Sequence, residues 1–436
     1  MAVRVPPVMR RVRSATLGRA RLPARLSPRR TRIFAFVGLL GPGLIAANAG
    51  NDAGGVATYA SAGAKYGYGL LWTIVLITIS LGIVQMLAAR MGAVTGKGLA
   101  ELVREEYGIR WSVFATSAVL IANLGICISE FVGVGAALGL AGVPAQVTVP
   151  IAAVGIWMII VRGSYRMAER IFVWLTIPFF AYPVAAVLGH PRWRDVGKAI
   201  VAPHLHASTS YLLIVIATAG TTITPYMQLY LQSAVVERGV REEERPREER
   251  EAVSGAVFAN IIAGSVIIAT GATLFVHGVH NISSAADAAR ALKPFAGAYA
   301  ELLFGIGLLG ASLLAAAILP IATAYVISES LGYEKGIGRR RREAPAFVNL
   351  ITAMIATSAV VAMIPGVPVI SLLVGVQVVN GLLLPINLYF IWRLARSPQL
   401  MGEARTRPAL DLATGVTVAV LAALSLSLVA VTVTEM

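Results

Sequence analysis

The sequence predicts an all-α polytopic membrane protein, an inverted repeat of two five-helix halves plus one extra helix, with helices 1 and 6 broken. Three observations carry that expectation. Apolar residues make up 57% of the 436 positions and recur in blocks of membrane-spanning length. The run Asn51-Asp52-Ala53-Gly54-Gly55 interrupts the first block with a carboxylate and two glycines. The run Gly220-Thr221-Thr222-Ile223-Thr224-Pro225-Tyr226 interrupts the sixth.

About eleven spans are expected, near residues 34–62 (broken), 70–89, 113–138, 147–161, 171–188, 211–236 (broken), 252–276, 302–326, 347–363, 369–392 and 410–431. In the first, a charge at membrane depth is expensive, so Asp52 is by default a functional residue. The adjoining glycines mark a helix break, which survives in lipid only where it lines a polar cavity. In the sixth, Pro225 removes an amide donor and pushes Thr224 away from helical geometry. The neighbouring threonines can re-satisfy the freed backbone. A Pro-kinked packing helix would explain this second break alone. Two interrupted helices at corresponding places in two halves point instead to an inverted-repeat transporter with its ligand site between them.

Charge sets the expected topology. With the N-terminus inside, the inner segments hold the Arg-rich arm, Lys97/Arg104/Arg110, Arg162/Arg166/Arg170, the run from Arg238 to Arg250, Lys335 with Arg339 to Arg342, and Arg393 to Arg407. The outer segments hold few basic residues. This alternation follows the positive-inside rule and puts the C-terminus outside, in a multi-pass plasma-membrane protein. The expected organisation is a basic disordered cytoplasmic arm (1–32), a first five-helix repeat (33–189), an outer loop (190–209), a second repeat (210–394) and an eleventh helix with its flanks (395–436). The arm superficially resembles an organellar presequence. A later start such as Met9 would also account for it, and no cleavable signal peptide is evident.

The net charge of +15, from 37 Lys+Arg against 22 Asp+Glu, would suggest nucleic acid on a soluble protein. Here topology explains it, and no nucleic-acid partner is expected. The single cysteine, Cys127, excludes an intramolecular disulfide and a cysteine-based metal cluster. No nucleophile–base motif or sensory domain supports an enzyme or a receptor. An organic-solute carrier would not need Asp52.

Several motifs resemble the NRAMP divalent-metal transporters. Gly41-Pro42-Gly43, Asp52-Ala53-Gly54-Gly55 and the stretch from Ala62 to Tyr68 are similar to that family's first helix. The stretch from Ala88 to Glu101 resembles its second-helix exit, and Gln377 with Pro385 its tenth helix. The resemblance implies a LeuT-type fold with the ion held between the broken helices. The family's Mn/Fe carriers use Asp and Asn from the first helix and a Met thioether from the sixth. Here Asp52 is kept, Gly55 stands at the Asn position, and Thr224-Pro225-Tyr226 replaces Met-Pro-His. Met227 is the less favoured Met equivalent. Loss of a soft donor and of side-chain volume suits a partly hydrated hard cation such as Mg²⁺, and the run from Thr224 to Ser233 resembles the NRAMP-related magnesium branch.

The resemblance also bears on protons. The family's third-helix Asp is Cys127 here, its Glu is kept as Glu130, and its sixth-helix histidines become Tyr226 or Met227, and Gln232. No His falls in an expected span. The expectation is therefore Mg²⁺ uptake, with Mn²⁺ as well, by alternating access without obligatory proton coupling; the rival is a proton-coupled Mn²⁺/Fe²⁺ carrier. The expected metal site comprises Asp52, Thr224, the opening at Gly55, the backbone carbonyls near Ala49 and Thr221, and Gln377, for which an interhelical hydrogen bond alone is the favoured reading and an oxygen or water contact to an outward-facing site the other. The metal is cargo, no cofactor is expected, and the partners are a divalent cation and the lipid bilayer around a monomer. Glu130 could relay protons or pair with Arg90. Asn260 and Asn380 read as interhelical glue, the His204/His206 and His277/His280 pairs as outer-loop residues, and 237–251 as a solvated cytoplasmic loop helix.

Overall fold

The computed structural model describes residues 42–203, 208–282, 288–290, 292–293, 297–364 and 369–434. The basic arm, His204 and His206 lie outside the described residues. Among those described, nine stretches are long and apolar enough to cross a membrane. They are joined by the broken first helix and by the helix Val369–Ala395, which complete the eleven expected spans.

The first span consists of α1 (Pro42–Ala49) and α2 (Ala53–Tyr66). Next come α3 (Leu71–Thr95), α4 (Leu99–Tyr107), α5 (Ile109–Gly139), α6 (Ala145–Trp157), α7 (Tyr165–Leu175) and α8 (Ala181–Leu188). The second half holds α9 (Trp193–Val201), the broken pair α10 (Thr209–Thr222) and α11 (Pro225–Glu237), then α12 (Arg245–Thr270), α13 (Ala298–Leu331), α14 (Pro345–Ala362) and α15 (Val369–Ala395). The short α16 (Pro398–Met401) leads into α17 (Pro408–Thr434). The expected outer loop at 190–209 contains the short helix α9, which buries Val196 and Ala199.

Local chemistry makes both breaks. Asp52 is extended (φ −67°, ψ 177°) and caps α2, its Oδ1 accepting the Gly55 N–H at 2.6 Å. In the sixth span Thr224 is extended (φ −68°, ψ 140°) and Pro225 takes the first helical position of α11. That is the position where a missing N–H costs a helix least.

One long helix organises the first span. α12 packs along α1, α2 and α3. It approaches α1 so closely that a Cβ on Gly255 would lie 2.6 Å from the Gly43 carbonyl oxygen, so only glycine fits there. Across this seam Glu251 Oε1 accepts the Gly43 N–H at 3.3 Å, and Asn51 Nδ2 donates to the Ala259 carbonyl at 2.9 Å.

Two expectations are corrected here. The run 237–251 is not a solvated loop helix, because α12 begins at Arg245 and buries Glu248 and Glu251 against its neighbours. Helix continuity carries these side chains inward, where Arg238 pairs with Glu248 at 3.3 Å. Arg90 does not pair with Glu130 but with Glu249, at 2.7 Å. Lys335 bridges Glu329 (3.0 Å) and Glu101 (3.1 Å), while Ser233 donates to Glu329 at 2.7 Å.

Candidate metal site between the broken helices

Asp52, Glu130, Thr221 and Thr224 are each 0% exposed, so none of these side chains meets bulk water. The centre of the site is the face of Gly55 that carries no side chain. A Cβ there would stand 2.9 Å from the Gly50 carbonyl oxygen, 2.9 Å from Thr221 Oγ1 and 3.2 Å from Asp52 Oδ1. Oxygens from the first break, the cap of α2 and the end of α10 thus converge on one point. The Thr221 hydroxyl is buried there with no hydrogen-bond partner among the described residues.

The second carboxylate belongs to α5. Glu130 Oε2 accepts the Ala53 N–H at 3.0 Å, and its Oε1 accepts the Ser129 hydroxyl at 3.0 Å. Asp52 and Glu130 therefore engage amides of the first turn of one helix, those of Gly55 and Ala53, where the partial positive charge of the N-terminus favours anions. They lie close enough to interact electrostatically. A divalent cation beside them would neutralise both charges in a medium that otherwise penalises them. Among the described residues no group of three or more His, Cys, Asp or Glu side chains could hold a metal alone. The donors here are carboxylate, hydroxyl and carbonyl oxygens, which suit a hard cation.

Hydroxyl bonds join the two broken spans on either side of that centre. Tyr226 at the start of α11 donates to the Ala49 carbonyl at 2.5 Å, linking α11 to α1. The Tyr59 hydroxyl of α2 lies 2.8 Å from Thr222 Oγ1 of α10, which itself donates to the Thr218 carbonyl at 2.6 Å. The Thr224 hydroxyl lies beside the Tyr226 phenol without a well-aligned hydrogen bond. Pro225 has no N–H, so the Thr221 carbonyl has no helical donor; it faces Gly50, 3.4 Å from where a Cβ would stand.

Of the expected residues, the structure brings Asp52 and Thr221 together at Gly55, and places the Ala49 carbonyl and Thr224 beside the Tyr226 phenol. Gln377 lies in α15, but its side chain falls outside the described residues. The Gly50 carbonyl and Glu130 are functional groups beyond the expected set; an acid inside an apolar span marks Glu130 by the same physical rule as Asp52, whereas a backbone carbonyl leaves no signal in the sequence. Met227, the less favoured Met equivalent, has its Sδ 2.7 Å from the Cβ position of Gly50 and so reaches the first break. Gln232 sits away from the site and donates to the Lys97 carbonyl at 2.9 Å. His277 and His280 each place Nδ1 against a carbonyl, of Thr273 (2.7 Å) and Ala64 (2.9 Å) respectively.

The family model for Nramp, described as natural resistance-associated macrophage protein-like, matches residues 43–431. The chain belongs to the Nramp family. Among curated members, this Nramp chain is 31% identical over 337 residues to the divalent metal cation transporter MntH of Yersinia pestis (strain Pestoides F), covering 74% of this chain and 81% of that protein. It is 31% identical over 346 residues to the MntH of Bacillus subtilis (strain 168), covering 76% and 79% respectively. Among solved structures, the Eremococcus coleocola manganese transporter superposes with a TM-score of 0.70 at 21% identity, covering 93% of this chain and 88% of that one. MhsT, solved with L-phenylalanine, superposes with a TM-score of 0.59 at 14% identity, covering 88% and 97%. The Nramp chain thus has the LeuT-type fold, a multi-pass bundle with broken first and sixth helices.

Proposed function

We propose that this protein carries divalent metal cations across the plasma membrane by alternating access, taking Mg²⁺ as well as Mn²⁺, and without obligatory proton coupling. Membership of the Nramp family and the printed names of its relatives, divalent metal cation transporters and a manganese transporter, support the general activity. The observation that carries the finer reading is the convergence of the Asp52, Thr221 and Gly50 oxygens on Gly55. Asp52 neutralises the ion; Thr221, Thr224 and the half-helix carbonyls of Ala49, Gly50 and Thr221 supply neutral oxygens. Retained waters complete the shell of an ion that dehydrates reluctantly. Gln377 contributes an oxygen when the site faces outward.

The basic side of the bundle faces the cytoplasm, with the N-terminus inside and the C-terminus outside. A potential of about 100 mV, negative inside, then contributes roughly 4.6 kcal/mol to entry of a doubly charged ion, twice the value for one charge. Uptake needs no proton step under that force.

One observation favours a second reading, a proton-coupled Mn²⁺/Fe²⁺ carrier. The Met227 thioether reaches the first break, and a soft sulfur donor selects transition metals. Competitive flux of Mg²⁺, Mn²⁺ and Ca²⁺ into liposomes carrying an internal pH dye separates the two. Mg²⁺ competing with Mn²⁺ at unchanged internal pH is the expected result. Acidification in step with metal entry, with Mg²⁺ failing to compete, would establish the rival.

A further inference from the structure

An unbroken helix through residues 49–53 would bond the Ala53 N–H to the Ala49 carbonyl, four residues earlier. In the structure both groups have exchanged partners. The Ala53 N–H donates to Glu130 Oε2 at 3.0 Å, and the Ala49 carbonyl accepts the Tyr226 hydroxyl at 2.5 Å. Tyr226 and Ala49 are both fully buried, where an unpaired carbonyl is costly. Tyr226 is held in place to serve that oxygen, because Pro225 fixes the backbone at the start of α11 and a phenol has few rotamers.

We propose that the Tyr226 hydroxyl is a placeholder for the transported cation on the Ala49 carbonyl: it occupies that oxygen while the site is empty and yields it when metal enters. The inference rests on the reading of the Ala49 carbonyl as a metal ligand. A divalent ion on that oxygen draws electron density from it and repels the hydroxyl proton, so the carbonyl does not hold both strongly. The same bond ties α11 to α1. Loading the site therefore releases a direct contact between α11 and α1, the halves of the sixth and first helices that this bond joins. Tyr226 is on this account a positioning residue that acts through the ligand oxygen.

The test compares purified full-length wild type, Tyr226→Phe and Asp52→Ala. Mn²⁺ and Mg²⁺ binding are titrated by calorimetry, and thermal unfolding is followed without metal and at saturating Mn²⁺. Removing a competitor worth one ordinary hydrogen bond should tighten metal binding by Tyr226→Phe about three- to tenfold. Its metal-free form should melt below metal-free wild type, while the saturated forms melt together. Equal or weaker binding, or an equal drop in both melting temperatures, would show an ordinary structural hydrogen bond and overturn the proposal. Wild-type affinity retained by Asp52→Ala, or no metal binding by wild type, is a separate failure: it removes the metal-site reading and this inference with it.

Discussion

The two helix breaks meet at one site but are made by different chemistry. In the sixth helix, Pro225 has no amide hydrogen, so the Thr221 carbonyl lacks a helical donor whatever the state of the carrier. In the first helix no proline intervenes between Ala49 and Ala53; the extended, capping Asp52 interrupts the helix, and Glu130 and Tyr226 take up the two freed ends of the intrahelical bond. The sixth break is thus fixed by the missing amide, whereas the first joins a local cap to tertiary partners and can be altered by whatever displaces those partners. A carrier needs both properties: a constant ligand geometry on one side and a responsive element on the other. The acidic group sits on the responsive side, where Asp52 caps α2.

The largest effect is expected where the responsive break loses its charge. Asp52→Ala should reduce Mn²⁺ and Mg²⁺ flux in proteoliposomes at least about 100-fold, above the loss typical of removing an outer-shell partner of a metal. Size-exclusion behaviour should remain that of wild type. Substantial residual flux would place the ion elsewhere. Next comes Gly55→Asn, which inserts a Cβ 2.9 Å from both the Gly50 carbonyl and Thr221 Oγ1. Those oxygens must move apart, so flux should fall on the order of tenfold. Mg²⁺ should lose more than Mn²⁺, because the ion that keeps its water needs the space. Equal losses for both ions in a competitive assay would remove Gly55 from the selectivity argument.

Much of this comparison was legible in the sequence, because apolar length, the positive-inside pattern and the two interruptions each have a direct physical signature. Asp52 and Pro225 are such signatures, and the structure places both at the breaks. Glu130 was equally visible as an acid in an apolar span, yet its assignment was not, since nothing in one sequence says which face of α5 meets α2. The run 237–251 misled for a related reason: alternating charge looks solvated until α12 is seen to carry Glu248 and Glu251 against α1 and Arg238. The Tyr226 bond joins residues 177 positions apart and leaves no local pattern. Contacts between halves of a repeat are set by packing, which spacing along the chain does not encode.

A milder perturbation acts on the constant side. Pro225→Ala restores an amide that can reach back to the Thr221 carbonyl and draw it into a continuous helix. The apparent KM for metal should rise severalfold, by about the affinity of one neutral ligand, on the order of 1 kcal/mol. Maximal flux should change less, because Asp52 and the first break are untouched. A wild-type KM would mean that this carbonyl is not a ligand, and would weaken the contrast between the breaks.

The smallest effect, and the sharpest test of that contrast, is at the other tyrosine. Tyr59 and Tyr226 each join one broken helix to the other, but Tyr59 meets the Thr222 hydroxyl, whereas Tyr226 meets a backbone carbonyl proposed as a ligand. Thr222 already donates to the Thr218 carbonyl, so losing the phenol leaves its own donor satisfied. Tyr59→Phe should therefore cost about 1 kcal/mol or less of stability, equally with and without metal, and leave the metal-binding midpoint unchanged. Tyr226→Phe should destabilise only the metal-free form and tighten binding. If the two variants behave alike, the ties are ordinary packing contacts and neither break is more responsive than the other. If only Tyr226→Phe separates the metal-free from the metal-bound melting curves, the break near Asp52 is the one that registers the ion.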